Sequence, residues 1–170
     1  MALIKTLNNI TPQFGDNYFL ADNCVIIGDV IMGNDCSIWF GAVIRGDVNY
    51  IRMGNKVNVQ DQATIHGTYQ KAPVNIGNNV SIAHHAVIHG CTIQDNVLIG
   101  IGSVIMDHAV IESNSIIAAG SVVLENTVVK SGSIYAGVPA KKVKEIPHDL
   151  ITGQIDRIAN SYLMYASWYK

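Results

Sequence analysis

A six-residue beat runs through this chain and restricts its fold more than any other feature. Large aliphatic residues fall at Leu20, Ile26, Met32, Ile38 and Ile44, resume at Met53, Val59 and Ile65, and resume again at Ile76, Ile82 and Ile88. After a slip of one residue they run unbroken through Ile93, Ile99, Ile105, Ile111, Ile117, Val123 and Val129 to Tyr135. Four positions after most of them comes a small residue: Cys24, Cys36, Ala42, Ala63, Ala86, Ser103, Ala109, Ser115, Ser121 or Thr127. Gly, Asn and Asp crowd the intervals between. A helix repeats every 3.6 residues and a half-buried strand every two, so neither accounts for this pattern.

A period of six fits a triangular prism. Each hexad supplies one short strand and a corner, the large residue fills the interior, and the small one fits where the chain turns. Three hexads close a coil of roughly 18 residues, and coils stack at the strand spacing of about 4.8 Å. The corner residues are types that tolerate left-handed backbone. The expected fold is all-β: a left-handed parallel β-helix of about seven coils spanning residues 1–147, with a C-terminal α-helix over residues 148–170. That helix is read from Ile151, Ile155, Ile158, Tyr162, Tyr165 and Tyr169, whose alternating spacings of four and three make one apolar stripe. Asp149 or Thr152 would cap it, and it would pack along the outside of the prism. Residues 1–19 would cover the first open rung, which otherwise invites unwanted pairing.

The beat breaks twice. Three extra residues lie between Ile44 and Met53, and five between Ile65 and Ile76. Both are expected to bulge from a corner, where binding residues collect.

Composition narrows the function. Only 14% of the 170 residues are charged and 49% are hydrophobic, yet no apolar run reaches the roughly 18 residues that span a bilayer. Net charge is −2 with no basic cluster beyond Lys141, Lys142 and Lys144, which argues against nucleic acid as a partner. The N-terminus lacks the apolar core of a signal peptide, and a cytoplasmic location is expected. Cys24, Cys36 and Cys91 sit at small-residue positions without C-x-x-C spacing, so they are expected as buried free thiols.

Counting hexads also places the polar residues. Ile44, Ile65 and Ile88 share one wall on successive coils, so the outward positions that follow, Arg45, His66 and His89, form a column. Val59 and Ile82 share the preceding wall, which carries Asp61 with His84 one rung above. Two imidazoles about 5 Å apart on one wall can share a metal. His84 lies around a corner, and a ring of three prisms would bring it to a neighbour's His66 and His89. A homotrimer with shared sites is therefore expected. His85, His108 and His148 are expected to be surface residues.

The stretches VIRGDVNYIRMGNKVNVQDQATIHG and IGNNVSIAHHAVIHGCTIQDNVLIG closely resemble the γ-class carbonic anhydrase-like proteins of the hexapeptide-repeat superfamily, from about Leu20 to Lys144. The resemblance implies reversible hydration of CO2 to bicarbonate, with His66, His84 and His89 as metal ligands and His84 supplied by a neighbouring subunit. It implies zinc, with Fe2+ or Co2+ suiting the same ligands, and a metal-bound hydroxide as nucleophile. It assigns Gln60 to position water or CO2, Arg45, Asp47 and Asp61 to orient the site and tie subunits together, and Tyr135 as the tyrosine at the site. The family's proton-ferrying glutamates have no counterpart in this stretch: Val48 follows Asp47, and Glu112, Glu125 and Glu145 lie elsewhere, which implies weak activity. The rival reading is an acetyl-CoA-dependent hexapeptide acyltransferase, suggested by the ending YAGVPAKKVK, with one histidine as general base. A metal-binding homologue without activity is the third.

Overall fold

The computed structural model describes residues 1–169, apart from the side chain of His148. The last residue of the expected helix, Lys170, and the surface reading of the His148 side chain lie outside the described residues. The chain winds as a parallel β-helix of three walls. The wall that begins with Phe19–Leu20 rises through Ser37–Ile38, Asn58–Val59, Val80–Ile82, Val97–Ile99 and Ser115–Ile117 to Ser133–Ala136, one strand per coil and all in parallel register. Lys141–Glu145 adds an antiparallel strand at its end. The other two walls join in a single sheet, because Val25–Met32 and Val43–Met53 each run without interruption around the corner between them.

The hexad anchors form the core. Ile26, Ile38, Ile44, Ile65, Ile82, Ile88, Ile99, Ile105, Ile111 and Ile117 stack along the axis and are fully buried. One such side chain contributes about 1.5–3 kcal/mol by leaving water. The corners carry the strain of the tight winding: Asp35, Lys56, Asn79, Asn96 and Asn114 line one corner with positive φ. Left-handed backbone costs most side chains energy, but Asn and Asp tolerate it, which explains the Asn and Asp crowding between anchors. Cys24, Cys36 and Cys91 are buried and unpaired, as expected.

The N-terminal residues complete the first coil. Leu3–Lys5 and Gln13–Phe14 pair in parallel with Val25–Met32 and so cover its outer edge. The two insertions differ from each other. The first is not a free loop: its extra residues stay within Val43–Met53 as a bulge, where Gly28 pairs with Gly46 but Val30 pairs with Ile51. The second closes on itself through a hydrogen bond from Thr68 N to Ala72 O at 2.9 Å.

The C-terminal segment departs from one continuous α-helix. His148–Leu150 leads into a wide π-helical segment, Ile151–Asp156, and only Arg157–Ser167 is a regular α-helix. Gly153 lies inside the π segment, where weak helix propensity lets the turn widen. Neither expected cap forms; Thr152 instead donates back to Asp149 O. The widened turn still buries Ile155 completely, and the following helix packs Ala166, Tyr162 and Tyr165 against Phe19, Ala21 and Trp39 on the outside of the prism. Among the described residues no helix is long and apolar enough to cross a membrane.

Candidate metal centre

The register confirms the column of outward side chains. Arg45 pairs with His66, and His66 pairs with His89, on three successive rungs. Strand alternation turns all three outward while Ile44, Ile65 and Ile88 fill the core. The two imidazoles face each other, with His66 Nδ1 3.2 Å from His89 Nε2 and ring centroids 5.3 Å apart.

Their outer nitrogens are each held by a carboxylate. His66 Nε2 lies 2.9 Å from Asp47 Oδ1, and His89 Nδ1 lies 2.6 Å from Asp107 Oδ1. Asp47 reaches His66 because the bulge lifts it off the wall; the same bulge lets Arg45 clamp its other oxygen. Gly46 is obligatory there, since a Cβ would stand 2.6 Å from the carbonyl oxygen of Asp29. Burial would raise the Asp47 carboxyl, but hydrogen bonds from Arg45 and His66 and the Arg45 charge outweigh it and hold Asp47 below the usual carboxylate range. Burial opposes ionisation at Asp107 too, and there the Thr68 hydroxyl, His89 and the charge of His108 prevail. Both aspartates are thus anionic acceptors against the outer nitrogens, an arrangement that favours protons there and lone pairs on the inner nitrogens.

His84 stands apart on the wall of Asn58–Val59 and Val80–Ile82. Its Nδ1 lies 3.0 Å from Asp61 Oδ2, one rung below. Its Nε2 faces Tyr162 Oη from the C-terminal helix at 3.4 Å, a long contact. Burial and the nearby Asp61 carboxylate push the Tyr162 hydroxyl up to about 12, so it keeps its proton. Gln60 is almost wholly buried on the same wall; its Nε2 donates to Asn58 Oδ1, and Asn58 Nδ2 donates to Ser81 Oγ. That relay fixes the amide of Gln60, with Nε2 turned inward. Among the described residues of one chain, no three His, Cys, Asp or Glu side chains converge as a metal site would require.

The structure therefore brings Arg45, Asp47, His66 and His89 together, and Gln60, Asp61 and His84 into a second group. Tyr135 joins neither. It pairs with Ile117 on the last coil and packs its side chain against the core, three rungs beyond Val80–Ile82. As a hexad anchor it packs against the core, away from both groups of its own chain. The tyrosine that does reach a histidine is Tyr162. Asp107 and Thr68 were likewise not expected; Asp107 lies at the second position after the anchor Ile105, as Asp61 does after Val59, and that parallel was the available signal. His85 and His108 occupy left-handed corner positions and are exposed.

Three comparisons with known proteins bear on these groups. The family model described as bacterial transferase hexapeptide (six repeats) matches residues 11–46 and 90–125. The chain is 42% identical over 160 residues to a carbonic anhydrase of Geobacillus kaustophilus, covering 94% of this chain and 87% of that one. It is 38% identical over 170 residues to mitochondrial gamma carbonic anhydrase 2 of Arabidopsis thaliana, covering 95% of this chain and 61% of the longer relative. A crystal structure of a hexapeptide transferase family protein from Anaplasma phagocytophilum superposes with a TM-score of 0.94 at 36% identity, covering 99% of this chain and 98% of that one.

Proposed function

Because the chain belongs to the γ-class carbonic anhydrase-like family of hexapeptide-repeat proteins, we propose that it catalyses the reversible hydration of CO2, with zinc as cofactor and a site shared between protomers of a trimer. The observation that carries this reading is the facing pair of ring nitrogens, 3.2 Å apart. Two nitrogens bound tetrahedrally to one zinc at about 2.0–2.1 Å lie roughly 3.3 Å from each other. The pair fits such an ion with almost no rearrangement. Without a metal the two rings share a hydrogen bond through a proton on one inner nitrogen; with the protons on the outer nitrogens, a cation takes that proton's place between the inner lone pairs.

In this reading His84 supplies the third nitrogen to a neighbouring copy, across a heterologous interface that closes as a ring. Asp61 holds His84 Nδ1 and leaves Nε2 as the donor; Tyr162 Oη beside Nε2 yields its place to the neighbour's site. A zinc in a three-imidazole set supplies a Lewis acid that brings the pKa of water to about 7. Iron or cobalt suits the same nitrogens. Gln60, its amide fixed by Asn58, offers Oε1 as an acceptor that orients a water proton. Arg45 keeps Asp47 ionised and so keeps the His66 ring in place. All three glutamates lie beyond residue 111, so proton export relies on other groups and turnover is slow.

Elemental analysis together with stopped-flow CO2 hydration tests the proposal. The expected result is roughly stoichiometric zinc and catalysed hydration that His66→Ala abolishes. Protein that binds acetyl-CoA without metal would favour an acetyltransferase, a reading supported by the likeness to the hexapeptide transferase family structure.

A further inference from the structure

Two side chains close a chain of contacts onto His89. Asp107 sits one rung above it, with Oδ1 2.6 Å from His89 Nδ1 and a side chain only 16% exposed. Its second oxygen accepts from Thr68 Oγ1. Thr68 belongs to the insertion after Ile65, and its carbonyl accepts from Asn49 Nδ2 of the other insertion at 3.1 Å. The approach of Asp107 is possible only because residue 90 is glycine: its φ is +53°, and a Cβ there would stand 2.3 Å from Asp107 Oδ1.

We infer that Asp107 is a positioning residue for the metal ligand His89, and that Thr68 in turn positions Asp107. The inference rests on the metal-site reading above. A neutral imidazole has two tautomers, and only the form with the proton on Nδ1 leaves Nε2 as a donor facing His66. An ionised carboxylate against Nδ1 selects that form and fixes the ring plane; a carboxylate alone could rotate, and the Thr68 hydroxyl on its other oxygen prevents this. The two breaks in the hexad beat then serve one device. Asp47 in the first holds the outer nitrogen of His66, Thr68 in the second holds the carboxylate on His89, and Asn49 ties the two insertions together.

The test uses two readouts on the full-length protein: zinc affinity against a chromophoric chelator, and imidazole 15N shifts in the metal-free state. Asp107→Ala should weaken zinc binding about 10–100-fold and move His89 toward the Nε2-protonated form. Asp107→Asn, which keeps a neutral acceptor, should fall between that and wild type. Thr68→Val leaves every charge in place, reads the device even where Asp107→Ala fails to fold, and should weaken zinc binding several-fold in the same direction. His89→Ala separates the two ideas. Unchanged zinc affinity in His89→Ala overturns the metal-site reading itself. Loss of zinc in His89→Ala, with wild-type affinity and an Nδ1-protonated His89 in Asp107→Ala and Thr68→Val, overturns the positioning role and leaves the site standing.

Discussion

Cys24 and Cys36 occupy corner positions of the repeat, and both are almost wholly buried. Burial pushes each thiol up from about 9 to about 11. The folded state therefore keeps protons that the unfolded chain releases above its ordinary thiol pKa, and stability should fall as pH rises from about 9 toward 11. The slope is at most about 1.4 kcal/mol per pH unit for each thiol. Urea midpoints measured from pH 8 to pH 10.5 should decline, and the decline should shrink in a Cys24→Ala/Cys36→Ala double variant. A thiol reagent at pH 8 should label none of the three cysteines until the protein is unfolded; labelling of the native protein at the rate of a free thiol would show that the corners open.

At the scale of elements, the wall and the C-terminal helix are joined by an aromatic cluster. Trp39 packs its ring 5.0 Å from Phe19 and edge-on to Tyr162 at 5.1 Å, and its Nε1 donates to Ser37 Oγ. Trp39→Ala should cost about 3–5 kcal/mol and release the helix first. Hydrogen exchange should accelerate across Arg157–Ser167 while Val80–Ile82 and Val97–Ile99 keep their protection; uniform acceleration would mean that the helix and prism unfold as one unit. Strands, register and the Arg45–His66–His89 column were legible in the sequence, because a strict period fixes both the coil on which a side chain sits and the side it faces. The contacts of Asp107 and Tyr162 were not. Asp107 reaches down one rung past a glycine, which depends on the backbone angle at a corner. Tyr162 meets His84 through a docking register that the π segment resets, and helical spacing alone does not encode that shift. Tyr135 packs against the core as its place in the beat dictates, apart from both groups of its own chain.

For the whole molecule, the decisive question is whether His84 completes a site in its own chain or in another. The two groups sit on different walls of one prism, and no single chain among the described residues gathers three ligands. If the site is shared, His66→Ala and His84→Ala damage opposite sides of the same interface. Each variant alone should lose its zinc. Refolded together in equal amounts, a random trimer has an intact interface wherever an unaltered His66 wall meets an unaltered His84 wall, which restores about a quarter of the sites. Zinc content and CO2 hydration should both recover to roughly that fraction in the mixture. In an equal mixture of wild type with the double variant His66→Ala/His84→Ala, only interfaces between two wild-type chains stay intact, so zinc should fall from the half that the wild-type chains fill alone to about a quarter, a loss where the first mixture shows a gain. Recovery near zero in the first mixture, with trimers present by sedimentation, would place all three ligands in one chain and require His84 to move across the corner.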